Sequence, residues 1–275
     1  MAPHPRLGVI VRLQADPAET LKRVTELELQ TCQVSAWQRE LMTDAVADGL
    51  KAEAARRGIR ISAFWCGYPG TCVWNFLQGP ATIGLVPRGI RELRKQALIR
   101  GAEFTARAGV ADMATHVGFI PEDPADPLYG ETIEALGGVV EACRKQKVHF
   151  LFETGQETPV AILRCIEDLG EANLGVNLDP ANLVLYGKAN PVDALDVFGK
   201  YVRGIHAKDG KYPVNGRELG KETAIGQGKV DFKGLFAGLK ALGYTGAVTI
   251  EREIHGPQQT IDIKASFEYL GPLLG

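Results

Sequence analysis

Four side chains in the second half of the chain could do chemistry together: Glu153, Asp179, His206 and Glu251. Each closes a short, mostly apolar run, namely His149-Phe-Leu-Phe-Glu153, Leu174-Gly-Val-Asn-Leu-Asp179, Val202-Arg-Gly-Ile-His206 and Ala247-Val-Thr-Ile-Glu251. Such runs read as buried strands. A carboxylate at the mouth of a buried strand is costly unless something pairs with it. For Glu153 alone, a Lys or Arg at the core rim would serve as well as a metal ion. Four such ends on four neighbouring strands point to one shared ion. Adjacent strands lie about 4.8 Å apart, so four rim residues can converge on an ion with ligands near 2.1 Å. Three carboxylates and one imidazole are a hard donor set, suited to one divalent ion: Mn²⁺, Mg²⁺ or Co²⁺, with Zn²⁺ compatible.

The elements that must position them alternate without a break. Strands are expected over 7–13, 32–37, 59–65, 112–117, 148–153, 174–178, 202–207 and 247–251. Each is followed by a helix, with start signals at Asp16-Pro17 and Thr158-Pro159 and a stop at Gly58. Two long connections interrupt the rhythm, Cys66 to Pro87 and Asp209 to Lys229. Strict βα alternation implies parallel strands. Eight units in 275 residues match a single-domain (β/α)8 TIM barrel over 1–275. An open doubly wound sheet would want a glycine-rich turn after the first strand, and Arg12-Leu-Gln-Ala-Asp16 has none. Period-two counting from the strand ends turns Asn177, Gly175, Gly204, Val202, Thr249 and Ala247 inward.

Bulk composition narrows the function classes. The net charge is −2, from 31 basic and 33 acidic residues, so nothing favours a nucleic-acid partner. No apolar run could span a bilayer and the N-terminus lacks a signal core, which implies a cytoplasmic protein without a membrane partner. The five cysteines fit no zinc spacing and are expected as free thiols.

The order Glu, Asp, His, Glu resembles the xylose isomerase-like superfamily of sugar isomerases and epimerases, of the ketose 3-epimerase type. Phe152-Glu-Thr-Gly-Gln-Glu157, Asn177-Leu-Asp-Pro-Ala-Asn-Leu183, His206-Ala-Lys-Asp209, Gly226-Gln-Gly-Lys-Val-Asp231 and Thr249-Ile-Glu-Arg-Glu253 carry the likeness, which runs along essentially the whole chain. It implies a small sugar or keto-polyol substrate, Glu153 and Glu251 as the proton-moving residues, and a homodimer or homotetramer. Many members have a histidine three residues after the aspartate ligand. Here Asn182 stands there, able to hydrogen-bond a substrate hydroxyl but not to act as acid or base. The reaction implied is proton abstraction beside a carbonyl through an enediolate. Its outcome could be an epimer, an isomer, or loss of a β-substituent from a 3-keto-glycoside or keto-inositol. An endonuclease-like phosphodiesterase would need more than five histidines and a basic groove. A non-catalytic sugar-binding barrel is the remaining reading.

Further residues follow from placement. His116 ends the fourth strand as a substrate contact or a packed rim histidine. Lys208 lies just above His206, as a substrate anchor or an ion-pair partner of Glu251 or Asp209. Glu157 either reaches over the site or starts the next helix. Trp65, with Tyr68, Trp74 and Phe76, could form a lid, the alternatives being a loop core or an oligomer contact. Glu253 replaces Glu251 as ligand if the last strand runs longer. His149 belongs to the far end of the barrel, as a hydrogen-bonded core residue, and His4 and His255 to the surface or terminus. Gly226-Gln-Gly228 reads as a backbone bend, with phosphate cradling as the weaker alternative.

Overall fold

The protein is described from a computed structural model covering residues 3–275. Met1 and Ala2, the start of the stretch read as lacking a signal core, lie outside the described residues. Eight parallel strands close into a barrel: β1 Leu7–Arg12, β2 Thr31–Ala36, β3 Arg60–Cys66, β4 Asp112–Thr115, β5 His149–Glu153, β6 Leu174–Leu178, β7 Val202–Ala207 and β10 Val248–Ile250. Their spatial order is β1-β10-β7-β6-β5-β4-β3-β2, so the last strand pairs with the first. The remaining two, β8 Asp209–Lys211 and β9 Lys221–Thr223, form an antiparallel hairpin inside the long connection after β7.

The helices around the barrel begin where local chemistry starts them. Asp16 accepts from the Ala18 amide ahead of Pro17–Glu26, and Thr43 from Val46 ahead of Asp44–Arg57. Thr158 accepts from Ala161 ahead of Pro159–Leu169. The helix before β7 is short, Ala194–Phe198 followed by a tight turn to Tyr201. An additional helix, Pro180–Leu185, starts directly from Asp179.

Alternation along the strands divides the apolar residues into two sets. Outward side chains such as Phe150, Phe152, Val176 and Ile205 join one continuous core between strands and helices. Truncating a buried phenylalanine there would cost about 3–5 kcal/mol. Inward, Trp65, Ala114 and Leu151 form a separate cluster that fills the barrel beneath its upper rim.

At the floor the inward count fails on β7. A register shift where Val176 pairs with Val202 and Asn177 with Gly204 reverses the facing below that point. Val202 therefore joins the outer core, and Arg203 turns into the barrel floor, donating to Asp112 Oδ1 at 2.7 Å. Gly175 makes room: a Cβ there would meet Arg203 Cδ at 2.6 Å. His149 lies at this end as expected, 3.4 Å from Asp112, but half-buried and not in the core.

All five cysteines are unpaired. Among the described residues no helix is long and apolar enough to cross a membrane.

Candidate metal centre and active site

Glu153 ends β5 and His206 lies near the end of β7, while Asp179 and Glu251 each follow the last residue of their strand. Their ligand atoms all lie within 4.8 Å of one another. Ligands stand about 2.0–2.6 Å from a divalent ion, so two on opposite sides are about 4–5 Å apart and the spread fits one ion. His206 Nδ1 is 3.1 Å from Glu153 Oε1, 3.3 Å from Glu251 Oε2 and 3.9 Å from Asp179 Oδ2.

The other side of each ligand is occupied. His206 Nε2 meets Gln33 Oε1 at 2.7 Å, and Gln33 Nε2 donates to Asn177 Oδ1 at 3.0 Å. Gln33 thus accepts the imidazole N–H, which leaves the Nδ1 lone pair facing the carboxylates. A Cβ at position 204 would collide with Asn177 Oδ1, so a glycine on β7 keeps this chain of amides open. Asp179 Oδ1 accepts from the Asn182 amide at 2.9 Å, capping helix Pro180–Leu185, while Oδ2 has no hydrogen-bond partner. Trp65 donates its indole N–H to Glu153 Oε2. Lys208 Nζ donates to Glu251 Oε2 at 3.3 Å.

These placements leave a charge deficit. The three carboxylates are buried or nearly so and meet one fixed cation, Lys208. A divalent ion would supply the two missing positive charges and would accept the lone pair of the nitrogen that faces the three carboxylates. Without the ion, burial alone would lower the His206 pKa, but Glu153 and Glu251 outweigh it and raise it well above the usual range. A proton on Nδ1 then takes the cation's place. Burial drives the Asp179 carboxyl up. Glu153 and Glu251 are also pushed up by burial, yet His206 with His116 in the first case, and Lys208 with His206 in the second, bring them below the ordinary range.

A cavity of about 730 Å³ opens above the cluster. Of the four cluster residues, Glu153 and Glu251 line it, while Asp179 and His206 lie beneath. His116, one residue beyond β4, also lines it. Its Nε2 is 3.6 Å from Glu153, its Nδ1 has no hydrogen-bond partner, and burial lowers its pKa. Asn182 and Trp65 are lining residues too.

Two expected substrate contacts lie elsewhere. Lys208 is buried and pairs with Glu251 as the second of its two expected roles, with Glu253 at 3.1 Å and Asp179 at 3.7 Å. Glu157 is fully buried outside the cavity lining, both carboxylate oxygens without a hydrogen-bond partner. Gln156, its neighbour, lines the cavity instead. Glu253 stands outside the ion cluster, its side chain 59% exposed and paired with Lys208.

The loop after β3 is only partly a wall of the site. Trp74 lines the cavity, 5.1 Å from the His116 ring. Tyr68 is instead an anchor: its hydroxyl accepts from the Gly84 amide, and buried Arg94 lies over its ring while donating to Gly84, Pro69 and Thr71 carbonyls. Phe76 packs on Tyr186. His255 is exposed as expected, yet it borders the cavity. The Gly226-Gln-Gly228 bend cradles an anion from its own chain, since both glycine amides donate to Asp209 Oδ2.

Gln33 and Trp37 are the site residues that sequence reasoning passed over. The signal for Gln33 was an amide in the middle of the apolar strand Thr31-Cys-Gln-Val.

Fold and site together define a closed (β/α)8 barrel with a candidate divalent-metal centre at its C-terminal rim. The model of the xylose isomerase-like TIM barrel family matches residues 21–272, and the chain belongs to that family. It is 34% identical to the xylose isomerase domain protein of Planctomyces limnophilus, whose crystal structure superposes over 98% of each chain with a TM-score of 0.91. A D-tagatose 3-epimerase-like protein shares the fold at 17% identity, with 98% of each chain covered and a TM-score of 0.74. The uncharacterized protein MJ1311 of Methanocaldococcus jannaschii is 25% identical over 175 residues, 60% of this chain. That match spans 58% of the relative's length.

Proposed function

We propose that the protein is a divalent-metal-dependent isomerase or epimerase of a ketose or keto-polyol. One observation carries this reading: the two cluster carboxylates that reach the cavity, Glu153 and Glu251, flank the same His206 nitrogen at 3.1 and 3.3 Å. Two carboxyl groups facing a bound keto-sugar, one ionised and one protonated, can take a proton from one face and return one to the other. The family membership and the 3-epimerase-like fold relative support it. An ion held by Glu153, Asp179, His206 and Glu251 would supply Lewis-acid stabilisation of the developing oxyanion.

The chain's own residues perform the rest. One carboxylate removes the proton α to the carbonyl, and the C–H electron pair becomes the double bond of an enediolate. The other carboxylate, protonated, returns a proton to the opposite face for epimerisation or to the neighbouring carbon for isomerisation. Trp65 and Lys208 fix one oxygen each of Glu153 and Glu251, which orients both bases. Asn182 and Gln156 offer hydrogen bonds to hydroxyls, and the Trp65 and His116 rings shield the reacting carbons from water.

The test is α-proton exchange. The protein loaded in turn with Mn²⁺, Mg²⁺ and Co²⁺ is incubated with ketoses and 3-keto-glycosides in D₂O and followed by NMR. Deuterium should enter beside the carbonyl, and Glu251→Gln should abolish it. No exchange with any sugar under any ion would sink the proposal.

A further inference from the structure

The cavity is larger than the reaction requires. Chemistry needs room for one keto-sugar over Glu153 and Glu251, and a single six-carbon sugar fills only a fraction of about 730 Å³. The remainder has a distinct lining. On one side an aromatic stripe leaves the ion cluster at Trp65 and continues to Trp37, with ring centroids 4.9 Å apart, and from Trp37 to Trp74 at 6.3 Å. Trp37 and Trp74 are 38% and 40% exposed, although large aromatic surfaces are normally covered. The cavity wall also carries polar groups: Gln14, Arg23, Ser35 and Gln259. Arg23 is the cationic donor of this group, with no salt-bridge partner among the described residues.

We propose that this outer part is a subsite for a second sugar ring, so that the substrate is a keto-sugar bearing a glycosyl substituent. A pyranose ring has apolar C–H faces and a hydroxyl-bearing edge. Its face matches an indole, and its edge oxygens match an arginine donor and neutral amides. A purely apolar ligand would make no use of the Arg23 donor, and a small ketose would leave both tryptophans wet. The inference rests on the sugar-handling reading of the same cavity, yet it concerns binding and is measured without turnover.

The experiment is calorimetric titration of the Mn²⁺-loaded protein with D-fructose and with three keto-disaccharides that carry a second pyranose, maltulose, isomaltulose and lactulose. At least one disaccharide should bind about tenfold more tightly than D-fructose, the difference that about one good contact set provides. Trp74→Ala and Arg23→Ala should each shrink that ratio about fivefold or more, with thermal unfolding confirming that both variants fold. Disaccharides that bind no more tightly than fructose overturn the proposal. So do variants that weaken both sugars equally. A Trp74→Ala variant that dissociates an oligomer without altering the ratio assigns the tryptophans to a subunit contact and overturns it as well. If the preference holds but no α-proton exchange is seen with any sugar, the subsite stands and the reaction assignment falls. Exchange without the preference has the opposite meaning.

Discussion

Gln33 on β2 holds the imidazole of His206 on β7 across the barrel interior, Oε1 to Nε2 at 2.7 Å, between strands that are not neighbours in the sheet. The contact fixes which nitrogen faces the ion cluster. Gln33→Leu should keep the fold and weaken divalent-ion affinity about 10–100-fold, the usual effect of losing such an orienting partner. Chelator competition with Mn²⁺ measures it. Unchanged affinity would show that His206 is oriented by packing alone.

Stripping the ion should destabilise the protein. Buried carboxylates in mutual contact repel one another unless a cation or protons intervene. An ion bound only by the folded chain contributes about 4 kcal/mol at a thousandfold excess over its dissociation constant. Calorimetric scans after chelation should show a Tm lower by on the order of 10 °C, restored by Mn²⁺. Identical scans with and without ion would mean that the cluster is empty in solution.

Asp209 organises the connection after β7. Its carboxylate accepts from the amides of Gly210, Gly226, Gly228 and Val230 at 2.8, 2.9, 2.8 and 3.1 Å. Asp209→Ala leaves four amides unpaired and should cost about 3–5 kcal/mol. Urea denaturation should show the loss, and limited proteolysis should nick within 210–230. A resistant loop in a destabilised variant would place the cost elsewhere.

Glu157 gives stability a pH dependence of definite sign. Burial pushes its carboxyl from 4.5 up to about 8. Between those values the folded chain keeps a proton that the unfolded chain has lost. Its contribution to stability therefore falls as pH rises through the window and levels off above about 8, at most about 1.4 kcal/mol per pH unit. Glu157→Gln removes that slope. The variant's advantage in urea midpoint should grow from about pH 5 to about pH 9, and parallel profiles would contradict the burial of an unpaired carboxyl.

What was legible in the sequence followed from short-range rules. Period-two alternation on buried strands, with an acid or a histidine at each end, picked out the four candidate ligands, and cap residues located most helices. Sequence could not show contacts across the barrel, so Gln33 went unread beside His206. Nor could it show the register shift on β7 that exchanges Val202 for Arg203. For Lys208 the sequence leaves a substrate anchor and an ion pair with Glu251 or Asp209 both open, and the structure has the pair with Glu251; for Glu157 it leaves a reach over the site and a helix start. Here the surrounding acids draw Lys208 inward, and the turn after β5 buries Glu157. Helix Pro180–Leu185 escaped notice because Asp179 serves at once as strand terminus, cluster member and cap.

The Arg203–Asp112 pair at the barrel floor, with Leu151 and Ala114 packed above it, closes the end opposite the cavity. Traffic therefore has a single doorway. A ligand of the cavity would leave by the side it entered, where Trp37 and Trp74 are half-exposed. For the proposed reaction, product and substrate would compete for that one opening.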